Sequence, residues 1–90
     1  MNKLELISAV AERTGLAKAK AAEAVEAVFA VIEETLKKEE EVRLVGFGTF
    51  TVSTRKASQG RNPRTGEPIS LPAARTVRFR VGKTLREAVN

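Results

Sequence analysis

Gly60-Arg61-Asn62-Pro63-Arg64-Thr65-Gly66 sits between two runs of alternating residues and can continue neither of them. Gly60 and Gly66 accept positive φ, Asn62 tolerates it, and Pro63 holds φ at about −65° with no N–H to donate to a ladder. The chain must therefore reverse or project at this point. Clusters of Gly, Asn and Pro are most often plain solvated turns, and composition alone favours that reading. The flanking charge shifts the balance. Between residues 51 and 83 the basic residues are Arg55, Lys56, Arg61, Arg64, Arg75, Arg78, Arg80 and Lys83, and Glu67 is the single acid in the same span. The stretch is read as the tip of a basic β-arm.

Working outward, Phe50 and Val52 alternate with Thr49, Thr51 and Ser53 on the way to Arg55, while Val77, Phe79 and Val81 alternate with Thr76, Arg78 and Arg80 on the far side. A period of two makes each run a strand with one apolar and one polar or cationic face. The two are expected to pair as the antiparallel arms of a ribbon, with Pro68 and Pro72 confined to edge or irregular positions because they break the ladder. Upstream, Val42-Arg43-Leu44-Val45 reads as a further strand, joined through Gly46-Phe47-Gly48, a tight connection whose Phe47 is expected to point into the core.

The first forty residues change period. Asn2 followed by Glu5 is a variant of the capping box, and Leu4, Ile7, Val10 and Ala11 share one helical face before Gly15 offers a stop. Ala21, Val25, Phe29, Ile32 and Leu36 then recur at helical spacing, which predicts a second helix from about Lys18 to about Lys38, with Ala17 a poor N-cap. Lys37 to Glu41 reads as a solvated helix end and turn. Gly82 to Val89 fits a short terminal helix packing through Leu85, Ala88 and Val89. The predicted order is α-α-β-β-β-α, with no repeat and no linker.

Ninety residues make one domain near the size at which a lone chain struggles to bury a sufficient core, and this points to a partner chain. The net charge of +5 is unevenly spread: residues 51–83 carry eight bases against one acid, and residues 1–50 carry seven against nine. A nearly neutral half beside a strongly basic one reads as scaffold and polyanion-binding surface. Cys and His are absent and every acid is Glu, so metal sites and Ser-His or Cys-His catalysis lack their usual parts. No apolar run approaches a membrane span, and the N-terminus shows no targeting segment. No enzyme activity, cofactor, metal or membrane association is expected.

Two nucleotide-binding matches fail. Gly82-Lys83-Thr84 resembles the end of a phosphate-binding loop, but Val77 stands where that motif needs glycine. Gly46-Phe47-Gly48 opens like a dinucleotide fingerprint, but Thr51 occupies the third glycine position. The four phenylalanines, Phe29, Phe47, Phe50 and Phe79, fall on apolar faces and are read as core or dimer contacts, not as stacking platforms for single strands. The arginines alternate along a projecting ribbon with almost no acids to neutralise them, which favours phosphate contact over a merely solvated face.

Gly46-Phe47-Gly48-Thr49-Phe50, then Arg55, then Gly60-Arg61-Asn62-Pro63-Arg64-Thr65-Gly66 resembles the signature of the bacterial histone-like HU family, to which integration host factor is related, and the similarity runs from Met1-Asn2-Lys3 through Gly82-Lys83. The resemblance implies an α+β fold: a helical base over residues 1–41, an antiparallel β-saddle over 42–81 with an extended β-ribbon arm at about 53–76, and a C-terminal helix over 82–90. Together these form a single domain of an intertwined dimer. It implies a nucleoid-associated, cytoplasmic architectural protein that bends, wraps and compacts double-stranded DNA through the minor groove with little sequence preference, favouring bent, nicked or flexible sites. Pro63 would be the intercalating wedge, anchored by Arg61, Asn62 and Arg64; Arg55, Arg75, Arg78 and Arg80 would follow the arms and saddle; Lys3 and Lys83 would hold phosphates near helix starts. The partner is a second copy or a paralogue. A sequence-preferring heterodimeric DNA bender and a basic RNA-binding module are the alternatives. Ser58 and Val81 depart from the family pattern, which commonly has a basic residue and a proline there.

Overall fold

The structure, a computed structural model, describes residues 1–90 and divides into two compact units, Met1–Thr35 and Leu36–Asn90. In the first unit helix α1 (Lys3–Thr14) starts where Asn2 Oδ1 accepts a 2.9 Å hydrogen bond from the Glu5 amide. It ends at Gly15, whose φ of 75° places it in the left-handed region and whose N–H returns to the Ala11 carbonyl. Helix α2 (Lys18–Lys37) begins without a polar cap: Ala17 supplies only its backbone carbonyl, to the Ala21 amide. Ile7 and Ala11 of α1 pack with Ala21 and Val25 of α2, flanked by the half-buried Leu6, Val10 and Ala22. The i, i+4 spacing within each pair puts both on one helix face.

In the second unit β1 (Val42–Leu44), β2 (Gly48–Arg55) and β5 (Ala74–Val81) form an antiparallel sheet in the order β1-β2-β5. Strands β3 (Ser58–Arg61) and β4 (Pro68–Leu71) form a separate two-stranded ribbon, with Ser58 opposite Leu71 and Arg61 opposite Pro68. The expected three strands are thus five. The β2–β5 ladder runs unbroken from Gly48↔Val81 to Arg55↔Ala74, then stops at Lys56 and Ala57, opposite Pro72 and Ala73. Pro72 has no N–H to give a ladder, and pairing resumes only beyond it. Pro68 occupies the first position of its strand, where a missing donor is tolerated.

Strand β1 ends one residue earlier than expected, because the chain turns at Val45 and the Phe47 amide bonds the Leu44 carbonyl at 2.9 Å. Helix α3 (Lys83–Val89) docks on that turn through the backbone: the Gly82 amide donates to Phe47 O at 2.7 Å and the Leu85 amide to Gly46 O at 3.0 Å. A Cβ on Gly82 would lie 2.7 Å from the Gly46 carbonyl carbon, so the docking requires glycine. Leu85 is half-buried in this packing, whereas Val89, expected to pack, is exposed.

Phe47, Phe50 and Phe79 cluster without being enclosed, and Phe47, expected to point into the core, is half exposed. Phe50 and Phe79 face each other across the β2–β5 ladder with centroids 4.8 Å apart, and Phe47 adds a second tilted contact to Phe79 at 5.7 Å. Yet Phe47 is 50 % exposed, Phe79 43 % and, in the first unit, Phe29 44 %. Within one chain none of the three is enclosed in a core.

Candidate nucleic-acid interface

Strand register decides which side chains share a face, because successive residues alternate across the pleat. On one face of the β2–β5 ladder lie the pairs Thr49↔Arg80, Thr51↔Arg78, Ser53↔Thr76 and Arg55↔Ala74. Arg43 of β1 pairs with Thr49 and so extends the row to Arg43, Thr49 and Arg80 across three strands. Neither Arg78 nor Arg80 has a carboxylate partner, and Arg43 is held only by an exposed Glu41 at 3.7 Å. This face therefore carries uncompensated positive charge. Arg43 was not singled out from the sequence, although the alternation of Val42-Arg43-Leu44 places it there.

The ribbon tip is built by hydrogen bonds around the proline. The Asn62 amide donates to Glu67 O at 2.9 Å, the Gly66 amide returns to Asn62 O at 2.8 Å, and Asn62 Oδ1 accepts from the Arg64 amide at 2.8 Å. Arg61 Nη1 donates to Gly66 O at 3.3 Å, and Gly66 adopts a φ of 73°. Asn62 Oδ1 is thereby committed to shaping the turn, as an Asx-type turn does. Pro63 and Arg64 are exposed on the outside of it.

The remaining predicted site residues divide. Arg55 lies on the cationic face, with Nη2 donating to the Pro72 carbonyl at 3.0 Å beside the ladder's interruption. Lys83, at the first position of α3, is exposed and carries no ion pair; the same holds for Lys56, at the interruption, which was counted among the bases but not as a contact. Lys3 forms an exposed ion pair with Glu26 at 2.7 Å in the first unit, so it is not an unpartnered base. Arg75 pairs with Thr54 and therefore lies on the opposite face, with Val77 and Phe79. Its guanidinium is engaged by the Lys37 carbonyl and Glu39. Ser58 opens β3 opposite Leu71, and Val81 continues β5 opposite Gly48. A proline at Val81 would remove that strand's last N–H.

No helix is long and apolar enough to cross a membrane, and no group of three or more His, Cys, Asp or Glu residues is placed to hold a metal ion. The family model described as bacterial DNA-binding protein matches residues 1–90. The chain is 54 % identical over 90 residues to the DNA-binding protein HRL18 of Rhizobium leguminosarum, covering all of this chain and 99 % of that one. It is 53 % identical over 89 residues to the DNA-binding protein HU of Geobacillus stearothermophilus, covering 99 % of each. Among solved structures it is similar to Anabaena HU in a cocrystal with DNA, with a TM-score of 0.82 and 44 % identity over 99 % of this chain and 97 % of that one. HU from Thermotoga maritima matches over the full length of both chains with a TM-score of 0.70 and 30 % identity.

Proposed function

The chain belongs to the family of bacterial DNA-binding proteins, and from that premise we propose that it is a nucleoid-associated architectural protein that binds and bends double-stranded DNA. The observation that carries this reading is the pairing of an uncompensated cationic sheet face with a proline-tipped basic hairpin in one unit. The face offers Arg43, Arg78 and Arg80 to phosphates without selecting a base sequence. The hairpin offers Pro63 as an apolar wedge, with Arg61 and Arg64 beside it for the walls of the minor groove. Lys83 and Arg55 add cationic contacts at the margins. No catalytic role is proposed.

The working unit is an intertwined dimer. Four buried side chains, two of them alanines, are too small a core for 90 residues. The exposed rings, Phe29 in the first unit and Phe47 and Phe79 in the second, are apolar surface that a second copy would cover. Each chain, residues 1–90, then contributes one base, one saddle half and one arm to a shared DNA-binding domain.

Electrophoretic titration at fixed salt tests the reading with a random duplex, a nicked duplex and double-stranded RNA. Binding of both DNAs, tighter for the nicked one and weak for RNA, is expected. Equal or tighter RNA binding would replace DNA by RNA as the ligand, and selection of one sequence out of a random pool would make the protein a sequence-preferring bender.

A further inference from the structure

Arg75 is the one arm-root arginine that register turns away from the cationic face, and its surroundings give it other work. Its Nη1 donates to the carbonyl oxygen of Lys37, at the C-terminal end of α2, at 3.2 Å, and its Nε lies 3.6 Å from Glu39 Oε1. The same carboxylate oxygen accepts a 3.0 Å hydrogen bond from Thr54 Oγ1. Thr54 and Arg75 are direct cross-strand partners, one ladder pair from the point where β2 ends and β5 begins. Opposed residues of both strands thus converge on one carboxylate. A helix end leaves carbonyls without partners and carries partial negative charge, so a guanidinium is favoured there. Glu39 itself has a φ of 61°, the only positive value at a non-glycine residue, and its amide is tied to Leu36 O at 3.0 Å.

We propose that Glu39, Thr54 and Arg75 form a latch that clamps the root of the arm hairpin to the end of α2, and that Arg75 is a positioning residue and not a phosphate contact. A two-stranded ribbon alone is marginally ordered in water. Clamping both strands at its root restricts the arm before any ligand arrives, so less freedom is lost when the arm closes on DNA. This consequence rests on the DNA-binding reading; the latch itself does not.

Glu39→Gln separates the latch from simple surface charge, because the two predict opposite signs. Removing an acid near a DNA-binding arm strengthens binding if the acid only repels phosphates. Loss of the latch weakens binding to a nicked duplex by about fivefold and leaves the salt dependence of affinity unchanged. Arg75→Gln is expected to match it, whereas a lost phosphate contact would shallow the salt slope by about one. Glu39→Gly suits the left-handed backbone and keeps the fold while deleting the carboxylate, which guards against a Gln variant that fails to fold. In DNA-free protein all three variants should accelerate amide exchange at residues 53–55 and 74–76 by about fivefold. Unchanged exchange in the three variants, or a salt slope reduced by one in Arg75→Gln, would overturn the latch. Faster exchange in a protein whose wild type shows no salt-dependent DNA affinity would keep the latch and remove the DNA-binding reading.

Discussion

Gly48 shows how little room a single position can leave. A Cβ added there would run into the Phe79 ring and would stand 2.7 Å from the Arg80 carbonyl oxygen, a backbone atom that cannot swing aside. Gly48→Ala is expected to lower stability by about 1–3 kcal/mol, the usual range for overpacking. Urea unfolding at one fixed protomer concentration measures it, and a midpoint equal to wild type would contradict the packing. Pro63 poses a functional question at the same scale. If its ring only shapes the turn, Pro63→Ala leaves the bend per bound molecule intact. As a wedge it unstacks a base step at a cost of a few kcal/mol, offset by the phosphate contacts that a bent duplex makes with the sheet. Energy transfer between dyes on the ends of a short duplex at saturation is therefore expected to show most of the bend lost in Pro63→Ala, with much of the salt-dependent binding retained. Equal end-to-end distances for the two proteins would remove the wedge.

The three-stranded sheet separates its side chains by face: Arg78 and Arg80 stand among threonines and serine on one side, and Phe50, Val52, Val77 and Phe79 line the other, with Thr54 and Arg75 at its arm end. Arg78 and Arg80 stand on the same side as Arg43, unpaired, so each is free to displace a counterion from a phosphate. Arg80→Gln is expected to make the slope of log affinity against log salt shallower by about one and to weaken all duplex sequences alike. An unchanged slope, or a loss confined to one sequence, would show that the cationic face is not tracking the backbone. The hairpin beyond the sheet is a separate element. Its ladder restarts after Pro72, and its tip is closed by Asn62, whose side-chain oxygen and backbone are both used in the turn. The shape of the tip is therefore set by its own hydrogen bonds.

For the whole molecule, if a second copy covers the half-exposed phenylalanines as proposed, the small core of each chain makes folding and association one event. A thermal or urea transition whose midpoint rises with protomer concentration is expected, and a folded monomer at micromolar concentration in sedimentation would rule it out. Much of this was legible in the chain. Asn2, Glu5 and Gly15 bound the first helix because capping is local, the alternation around Phe50 and Phe79 marks strands because the pleat has a period of two, and the chain turns from Asn62 to Gly66 because of what Asn, Pro and Gly do to a backbone, although Gly60 and Arg61, expected to leave the ladder, remain paired in β3. Charge counting also found the basic half. It could not say which bases are free. Lys3 meets Glu26 and Arg75 meets Glu39 and the Lys37 carbonyl only because the chain folds back to bring distant positions together. A periodic pattern likewise assigns Phe47 and Phe79 to an apolar face without saying what covers it. Local backbone preference is written residue by residue in the sequence, but the pairing of charges and the burial of a face depend on contacts between remote segments, which only the tertiary structure decides.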